Sequence, residues 1–473
     1  MEMKIANRIK VKDIPEEMKQ LIVQDLQMPN PKYVQAKTHG YSTWGIDKII
    51  MNFNVLPDSS LMVPRGYRKK LLSIANDFGV EAEIDDQRTI FPTRLDIDSR
   101  YIQFRPHQWE PLHRIAQGET EGMIVAPAGS GKTILGVSIV AILGQPTLWL
   151  THTRTLANQA LERIDEFLPG LDKEEDIGII GDGEWKIGNL FTVGMLQTLI
   201  RRKDLHKITN RFGMIILDEA HHCPASTFRK TITQFNPYYI FGLTATPYRR
   251  DKLEKVMFQV IGDTISSIPI GKVEEHGGII RPKVLYRTIK SKTVGGLGSS
   301  PIQTILKYNI VNNNKRNAII VGDVTREAML GNYCMVVSDR KVHCENLSAL
   351  ISIGWKKTGI ATGDYSKEYV EEQVQRFINN EITVLVATFA LLGEGFDINF
   401  LNRVFIAMPF RAEAKVEQLV GRVQRTADGK NNAIVYDYVD RDIGILKNQF
   451  YTGSLKECRY NAYARLGLEV EPV

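Results

Sequence analysis

Cysteine is scarce in this chain: four in 473 residues, Cys223, Cys334, Cys344 and Cys458. None stands in C-x-x-C spacing, which excludes a zinc ribbon and a disulfide framework and leaves reduced thiols. His221-His222-Cys223 sets three ligand-type residues side by side, but adjacent residues rarely point at one ion and no second ligand group follows. Long hydrophobic runs are missing as well. No stretch approaches the roughly 20 residues of a membrane helix, and Met1-Glu-Met-Lys-Ile5 lacks the apolar core of a secretory leader. The expectation is a monomeric protein of the cytoplasm (a host's, if the source is viral) with no membrane partner. A dominant charge is also lacking. Sixty Lys and Arg face 54 Asp and Glu, a net +6 with a pI of about 8.9. That balance permits a polyanionic partner without requiring one. The length exceeds one ordinary core, so two to four domains are expected.

What is present centres on Ala126-Pro-Ala-Gly-Ser-Gly-Lys-Thr133. An apolar run, Gly122–Ala126, precedes it as a buried strand would. Ile134–Leu143 follows it as a helix would. Strand, Gly-rich turn and helix is the setting of a phosphate-binding loop. Backbone N–H groups of Gly129, Ser130 and Gly131 would turn toward phosphate, and the helix adds its positive end. Lys132 would reach the β/γ-phosphates of ATP, and the Thr133 hydroxyl would hold Mg²⁺. The first Gly of the usual pattern is Ala126 here, which marks a subtype.

A second signal is Met214-Ile-Ile-Leu-Asp-Glu-Ala-His-His222. Four apolar residues end in two carboxylates, which places Asp218 and Glu219 at the carboxyl edge of a buried strand, where such sheets bind ligands. Asp218 would support Mg²⁺ and Glu219 would activate water. Thr244 and Thr246, with His221, would relay the phosphate state, or else serve as turn and cap residues. Gln108, shortly before the loop strand, has an amide that can pair both edges of adenine.

Residues 122–248 alternate strands (122–126, 146–151, 178–181, 190–193, 213–217, 239–243) with helices, the pattern of a covered parallel sheet. A second set (333–338, 358–361, 383–387, 402–407, 432–437) has no phosphate loop of its own. It carries Gln418-Leu-Val-Gly-Arg-Val-Gln-Arg425, read as helical with Arg422 and Arg425 on one face. The fold class expected is α/β, two parallel-sheet domains with a small α+β N-terminal domain. The boundaries are 1–95 accessory and a candidate DNA-binding domain, 96–255 first α/β domain, 256–330 linker and start of the second domain, 331–445 second α/β domain and 446–473 a tail packed on that domain. In the N-terminal part, 4–11 and 49–55 read as strands, 15–26 as a helix, and a helix after residue 67 buries Leu71, Ile74, Ala75 and Phe78. Arg65, Tyr67, Arg68, Lys69 and Lys70 fit either a nucleic-acid surface or a solvated helix start.

In order, Arg105–Gln108, Ala126–Thr133, Thr153–Gln159, Thr192–Thr198, Asp218–His221, Thr244–Pro247, Val336–Arg340, Thr388–Asp397 and Gln418–Arg425 resemble the motif series of superfamily 2 DEAH-type helicases and translocases. Within that superfamily they resemble the DEAH-bearing group around XPB and the phage UvsW-type branch-migration enzymes, and the resemblance covers residues 100 to about 440. The resemblance implies two RecA-like domains with ATP and Mg²⁺ between them. The first would supply Gln108, Lys132, Thr133, Asp218 and Glu219. The second would supply Gly395, Asp397, Arg422 and Arg425. A nucleic-acid strand would meet Arg154, Gln197 and Thr198, then Arg340, Thr362, Gly363 and Thr388, chiefly through phosphates. The activity implied is nucleic-acid-dependent ATP hydrolysis coupled to movement, with branched DNA as the favoured partner. An RNA helicase and an ATP-gated clamp without strand separation remain as alternatives.

Overall fold

The computed structural model describes residues 1–92, 100–127, 129–181, 183–202, 204–219, 225–245, 253–290, 302–389, 398–451 and 458–473. The chain forms two compact units, Met1–Lys272 and Val273–Val473.

The first unit begins with a small lobe. Its elements are β1 (Glu2–Ile5), β2 (Arg8–Lys12), α1 (Glu16–Asp25), β3 (Gln27–Pro29), α2 (Pro31–Thr38), β4 (Ile49–Met51), β5 (Asn54–Val55), β6 (Leu61–Pro64), α3 (Arg68–Asp77) and β7 (Glu83–Asp86). The five-stranded sheet runs β5-β6-β2-β1-β7, and β3 pairs with β4 in a separate ribbon. Residues 4–11, which alternate like one strand, are a hairpin, with Ile5 opposite Ile9. Residues 49–55 divide between the ribbon and the sheet. Met3, Ile5, Ile9 and Val11 alternate inward to meet Met18, Ile22, Leu71, Ile74 and Ala75. Phe78 lies past the end of α3 and stays 39% exposed, against expectation.

The sheet that follows contains eight strands: β8 (Glu121–Val125), β9 (Thr147–Thr151), β10 (Ile177–Gly181), β11 (Glu184–Lys186), β12 (Phe191–Met195), β13 (Met214–Asp218), β14 (Tyr239–Thr244) and β15 (Thr264–Ser267). Their order is β11-β10-β12-β9-β13-β14-β8-β15, parallel except for the β10–β11 pair. Helices α4 (Trp109–Ala116), α5 (Lys132–Leu143), α6 (Arg154–Phe167), α7 (Leu196–Arg201), α8 (Ala225–Ile232) and α9 (Glu254–Ile261) connect them. β9 and β13 are buried along their whole length, as near-continuous apolar runs in a covered parallel sheet should be.

After α10 (Ile270–Glu275), the second unit has seven parallel strands in the order β18-β19-β17-β20-β21-β16-β22. These are β16 (Lys283–Ile289), β17 (Cys334–Ser338), β18 (Thr358–Ala361), β19 (Val384–Thr388), β20 (Arg403–Ile406), β21 (Ile434–Asp440) and β22 (Val470–Pro472). The helices are α11 (Ile302–Leu306), α12 (Asn314–Met329), α13 (Lys341–Gly354), α14 (Lys367–Ile378), α15 (Glu413–Val423), α16 (Gly444–Phe450) and α17 (Arg459–Arg465). The stretch 256–330, read as a linker and the start of the second domain, gives β15 to one sheet and β16 to the other. Sequence patterning conceals β16 because it carries Arg287, whose charge is met by Asp323 of α12 at 3.1 Å. In the tail, Phe450 and Tyr463 join the core, and Tyr463 donates to Asp437. Among the described residues no helix is long and apolar enough to cross a membrane.

The basic run after β6 is not a free surface. Arg65 is 3% exposed; it donates to the carbonyls of Pro237 and Tyr238 and lies 3.3 Å from the Glu121 carboxylate. Arg68 pairs with the other Glu121 oxygen at 2.7 Å, Lys69 with Glu119, and Lys70 with Asp25. Tyr67 is buried. Burial pulls Arg65 down to about 10, against the opposing pull of Glu121. Nearby, Gly66 lets the chain approach α9: a Cβ there would lie 2.4 Å from the Gly262 nitrogen. These residues fasten the lobe to the β8 edge.

Candidate active site

In a parallel sheet every strand ends at the same edge. In the first unit this edge gathers the phosphate-loop residues after β8, Arg154 at the start of α6, Gln197 and Thr198 at the start of α7, Asp218 at the end of β13 and Thr244 at the end of β14. Arg154 and Gln197 are exposed, and Thr198 is half-buried. The Ala126 N–H donates to the Thr244 carbonyl at 2.8 Å, tying the loop's first residue to β14. Gly129 and Gly131 have φ of 82° and 80°, a region that residues with a Cβ rarely adopt. Gly131 is held for a second reason: its Cβ would meet the Gln108 amide nitrogen at 2.4 Å. Helix α5 starts at Lys132, so its unpaired N–H groups face the loop.

Lys132 Nζ lies 3.1 Å from Glu219 Oε1 and 3.4 Å from the Ala126 carbonyl. Glu219 has φ of 51° and donates its N–H to the Leu243 carbonyl at 2.9 Å. A non-glycine residue in this region costs on the order of 1–3 kcal/mol and is held by its surroundings. Asp218 is buried. Desolvation first, and then the Glu219 charge, push it well above the carboxylate range, with Lys132 opposing. Thr133 is half-buried on the first turn of α5. A buried, electrostatically strained carboxylate and a hydroxyl are hard oxygen donors, the kind Mg²⁺ takes beside phosphate oxygens. The residues present therefore fit that ion. Among the described residues no cluster of three His, Cys, Asp or Glu side chains is placed to hold a metal by itself.

Gln108 also has a place within the loop. Its amide nitrogen donates to the Ser130 carbonyl at 2.9 Å and its oxygen accepts from the Arg105 N–H at 2.8 Å, with the side chain 1% exposed. Both ends of the amide brace the loop. His107, which the sequence did not single out, holds the same Ser130 carbonyl at 3.1 Å through Nε2. The only local hint is its place beside Gln108. Ser130 is itself fully buried, and its hydroxyl has no hydrogen-bond partner among the described residues.

In the second unit, Arg340 follows β17, Thr362 and Gly363 follow β18, and Thr388 ends β19, so all four lie at that sheet's carboxyl edge. Arg340 and Gly363 are exposed, whereas Thr362 and Thr388 are buried. Arg340 donates to Gln303. α15 returns the chain from β20 to the start of β21, so its C-terminal end lies at the opposite, amino edge. Arg422 is in its last turn. Arg425 is past the helix, bridged to Ile279 ahead of β16, so the two arginines do not share a helical face as expected. Lys430 Nζ sits at the helix end, where it donates to the carbonyl of the last helical residue, Val423, at 2.7 Å, and to those of Arg425 at 2.6 Å and Asn399 at 3.0 Å. Burial, then the Arg425 charge, lower Lys430 to about 7. His221, Thr246, Gly395 and Asp397 lie outside the described residues.

The comparisons agree with this arrangement. Residues 101–249 match the family described as type III restriction enzyme, res subunit, and residues 314–427 match the helicase conserved C-terminal domain. "Probable helicase D10" of Escherichia phage T5 is 25% identical over 370 residues, 78% of each chain. The "DNA 3'-5' translocase XPB2" of Sulfurisphaera tokodaii is 25% identical over 69% of this chain and 80% of its own. Among solved structures, S. cerevisiae Dbp5 bound to RNA and ADP BeF3 aligns with a TM-score of 0.55 at 14% identity, over 78% of this chain and 89% of that one, a likeness of fold. With both helicase domains in series, and XPB-like and phage helicases among its relatives, the chain belongs to the superfamily 2 helicases, ATP-dependent enzymes that act on nucleic acid.

Proposed function

We propose that the protein is an ATP-driven DNA helicase or translocase that remodels branched DNA such as forks and four-way junctions. The observation that carries the reading is the Lys132–Glu219 pair at 3.1 Å beside buried Asp218, under a helix N-terminus. Lys132 is held by Glu219 until a triphosphate offers it more negative charge. Releasing Glu219 at that moment frees a carboxylate to orient and deprotonate water. Thr133 and Asp218 would hold Mg²⁺, which when bound neutralises charge on the phosphates. Ala126 and Gly129–Gly131 line the phosphate side, braced by Gln108. Arg422 and Arg425, with Gly395 and Asp397, are proposed to serve the same nucleotide from the second unit; an arginine at the transferring phosphate is worth about 10³–10⁵ in rate. Arg154, Gln197, Thr198, Arg340, Thr362, Gly363 and Thr388 are proposed to meet the nucleic-acid backbone at the two carboxyl edges. Thr244, Thr246 and His221 would couple the two events. The DNA preference leans on a relative whose name specifies DNA.

The test is ATP turnover with single-stranded DNA, duplex, forks, four-way junctions and RNA, wild type beside Lys132→Ala. Forks and junctions should stimulate most. Lys132→Ala should lower stimulated turnover by about 10²–10³-fold, as removal of one preorganised charge-stabilising donor does. Strand separation by Lys132→Ala at the wild-type rate would end the proposal. Greater stimulation by RNA would move the substrate class to RNA.

A further inference from the structure

The N-terminal lobe carries a second stretch of aromatic and basic residues, between Asn30 and Met51, that none of the helicase motifs includes. Trp44 is 93% exposed and Tyr41 72%. Lys32, Lys37, His39 and Lys48 are exposed around them, against one acid, Asp47. Among the described residues none of the three lysines takes part in an ion pair. Ile49 and Met51 extend the exposed apolar surface.

The loop that presents these rings is built from both ends. Asn30 caps α2 by accepting from the Lys32 N–H, and its amide donates to the Asp47 carbonyl at 2.8 Å, closing the base of the loop. The Tyr41 N–H returns to the Ala36 carbonyl at 2.8 Å, and the Ile46 N–H donates to the Thr43 carbonyl at 3.1 Å. The Ser42 hydroxyl accepts from the Trp44 N–H. His39 and Tyr41 stack with ring centroids 6.0 Å apart and planes 11° apart. The ribbon below is anchored: Met28 and Ile50 pack on Leu253 and Val256. A held loop that offers exposed rings among cations with no ion pair in the described residues matches one ligand chemistry better than others: unpaired bases on a phosphate backbone.

We infer that the loop 39–48 is a base-stacking contact for single-stranded nucleic acid, with Tyr41 and Trp44 as the platform and Lys32, Lys37 and Lys48 on the phosphates. The inference rests on the helicase reading and gives the lobe its place in it: the lobe engages the unpaired strand of a branched substrate. Stacking tolerates any base, so the contact carries no sequence preference, and DNA and RNA single strands share the chemistry.

The test uses the full chain and fluorescein-labelled oligo(dT) and oligo(U) of about 20 nucleotides, long enough for a stacking site, with a blunt duplex as the third arm. Anisotropy should give single-strand binding at least about 30-fold weaker for the Tyr41→Ala/Trp44→Ala double variant, since two stacked bases are lost and each is worth about 1–3 kcal/mol. Trp44→Phe should restore most of the loss to Trp44→Ala, because a ring returns. Duplex affinity and basal ATP turnover should be unchanged. Wild-type single-strand affinity in the double variant overturns the inference, as does an equal loss for duplex. Failure of the helicase reading looks different: no nucleic acid would stimulate the wild-type ATPase at all.

Discussion

Two stretches of the N-terminal lobe have almost the same composition and opposite fates. Residues 65–70 hold two arginines, two lysines and a tyrosine. Residues 32–48 hold three lysines, a histidine, two tyrosines and a tryptophan. In the first, every cation has an acid: Arg65 and Arg68 share Glu121, Lys69 has Glu119, and Lys70 has Asp25. In the second, the lysines meet no acid and the tryptophan no cover among the described residues. Mixed aromatic and basic residues therefore signal an internal joint as readily as a nucleic-acid surface. What decides is whether acids and carbonyls come to them from elsewhere in the fold.

The comparison breaks most sharply at Glu121. Three guanidinium groups, from Arg65, Arg68 and Arg88, lie within 4 Å of this one buried carboxylate. Glu121→Gln should destabilise the first unit by about 3–5 kcal/mol, because buried cations lose their counter-charge. Urea denaturation measures it. The affinity of the folded variant for single strands should not change. A stability loss under about 1 kcal/mol would mean that the joint is solvated and the two stretches are alike after all.

Gly66→Ala tests the same joint by shape. The new methyl would press on backbone atoms of Gln259 and Gly262, which cannot rotate away. A cost of about 1–3 kcal/mol is expected, the size of an overpacked core. A neutral result would mean that the lobe slides to accommodate the methyl.

The same contrast marks what the sequence made legible. The phosphate loop and the Asp218–Glu219 strand end were readable because each is local: a strand, a turn and the start of a helix lie within about a dozen residues. The parallel sheets were readable because fully buried strands such as β9 and β13 carry apolar runs, Leu148–Leu150 and Met214–Leu217. Features that depend on distant partners were not. The fate of Arg65 is set by Glu121, which lies 56 residues away. β16 was hidden because the residue that neutralises its arginine is in α12. Gln108 was read for a base on chemistry alone, and its bonds to Arg105 and, 22 residues away, to Ser130 were not foreseen. Arg425 lies past the helix end, where Lys430 holds its carbonyl together with that of Val423, and no pattern in Gln418–Arg425 announces that.

The smallest expected effect on stability is the sharpest on function. Lys32, Lys37 and Lys48 are exposed and, among the described residues, without ion pairs, so replacing all three with Gln should change unfolding free energy by no more than about 0.5 kcal/mol. If each contacts a phosphate, each also releases counterions when single-stranded nucleic acid binds. The slope of log K against log salt should then become shallower by about 2, at roughly 0.7 per contact. Changing Lys69 and Lys70 to Gln makes the matched control, two cations already neutralised by Glu119 and Asp25. That pair should leave the slope where it was. An equal change in both sets would assign the salt dependence to net charge and remove the distinction between the joint and the loop. A change confined to the first set would assign those phosphate contacts to the loop.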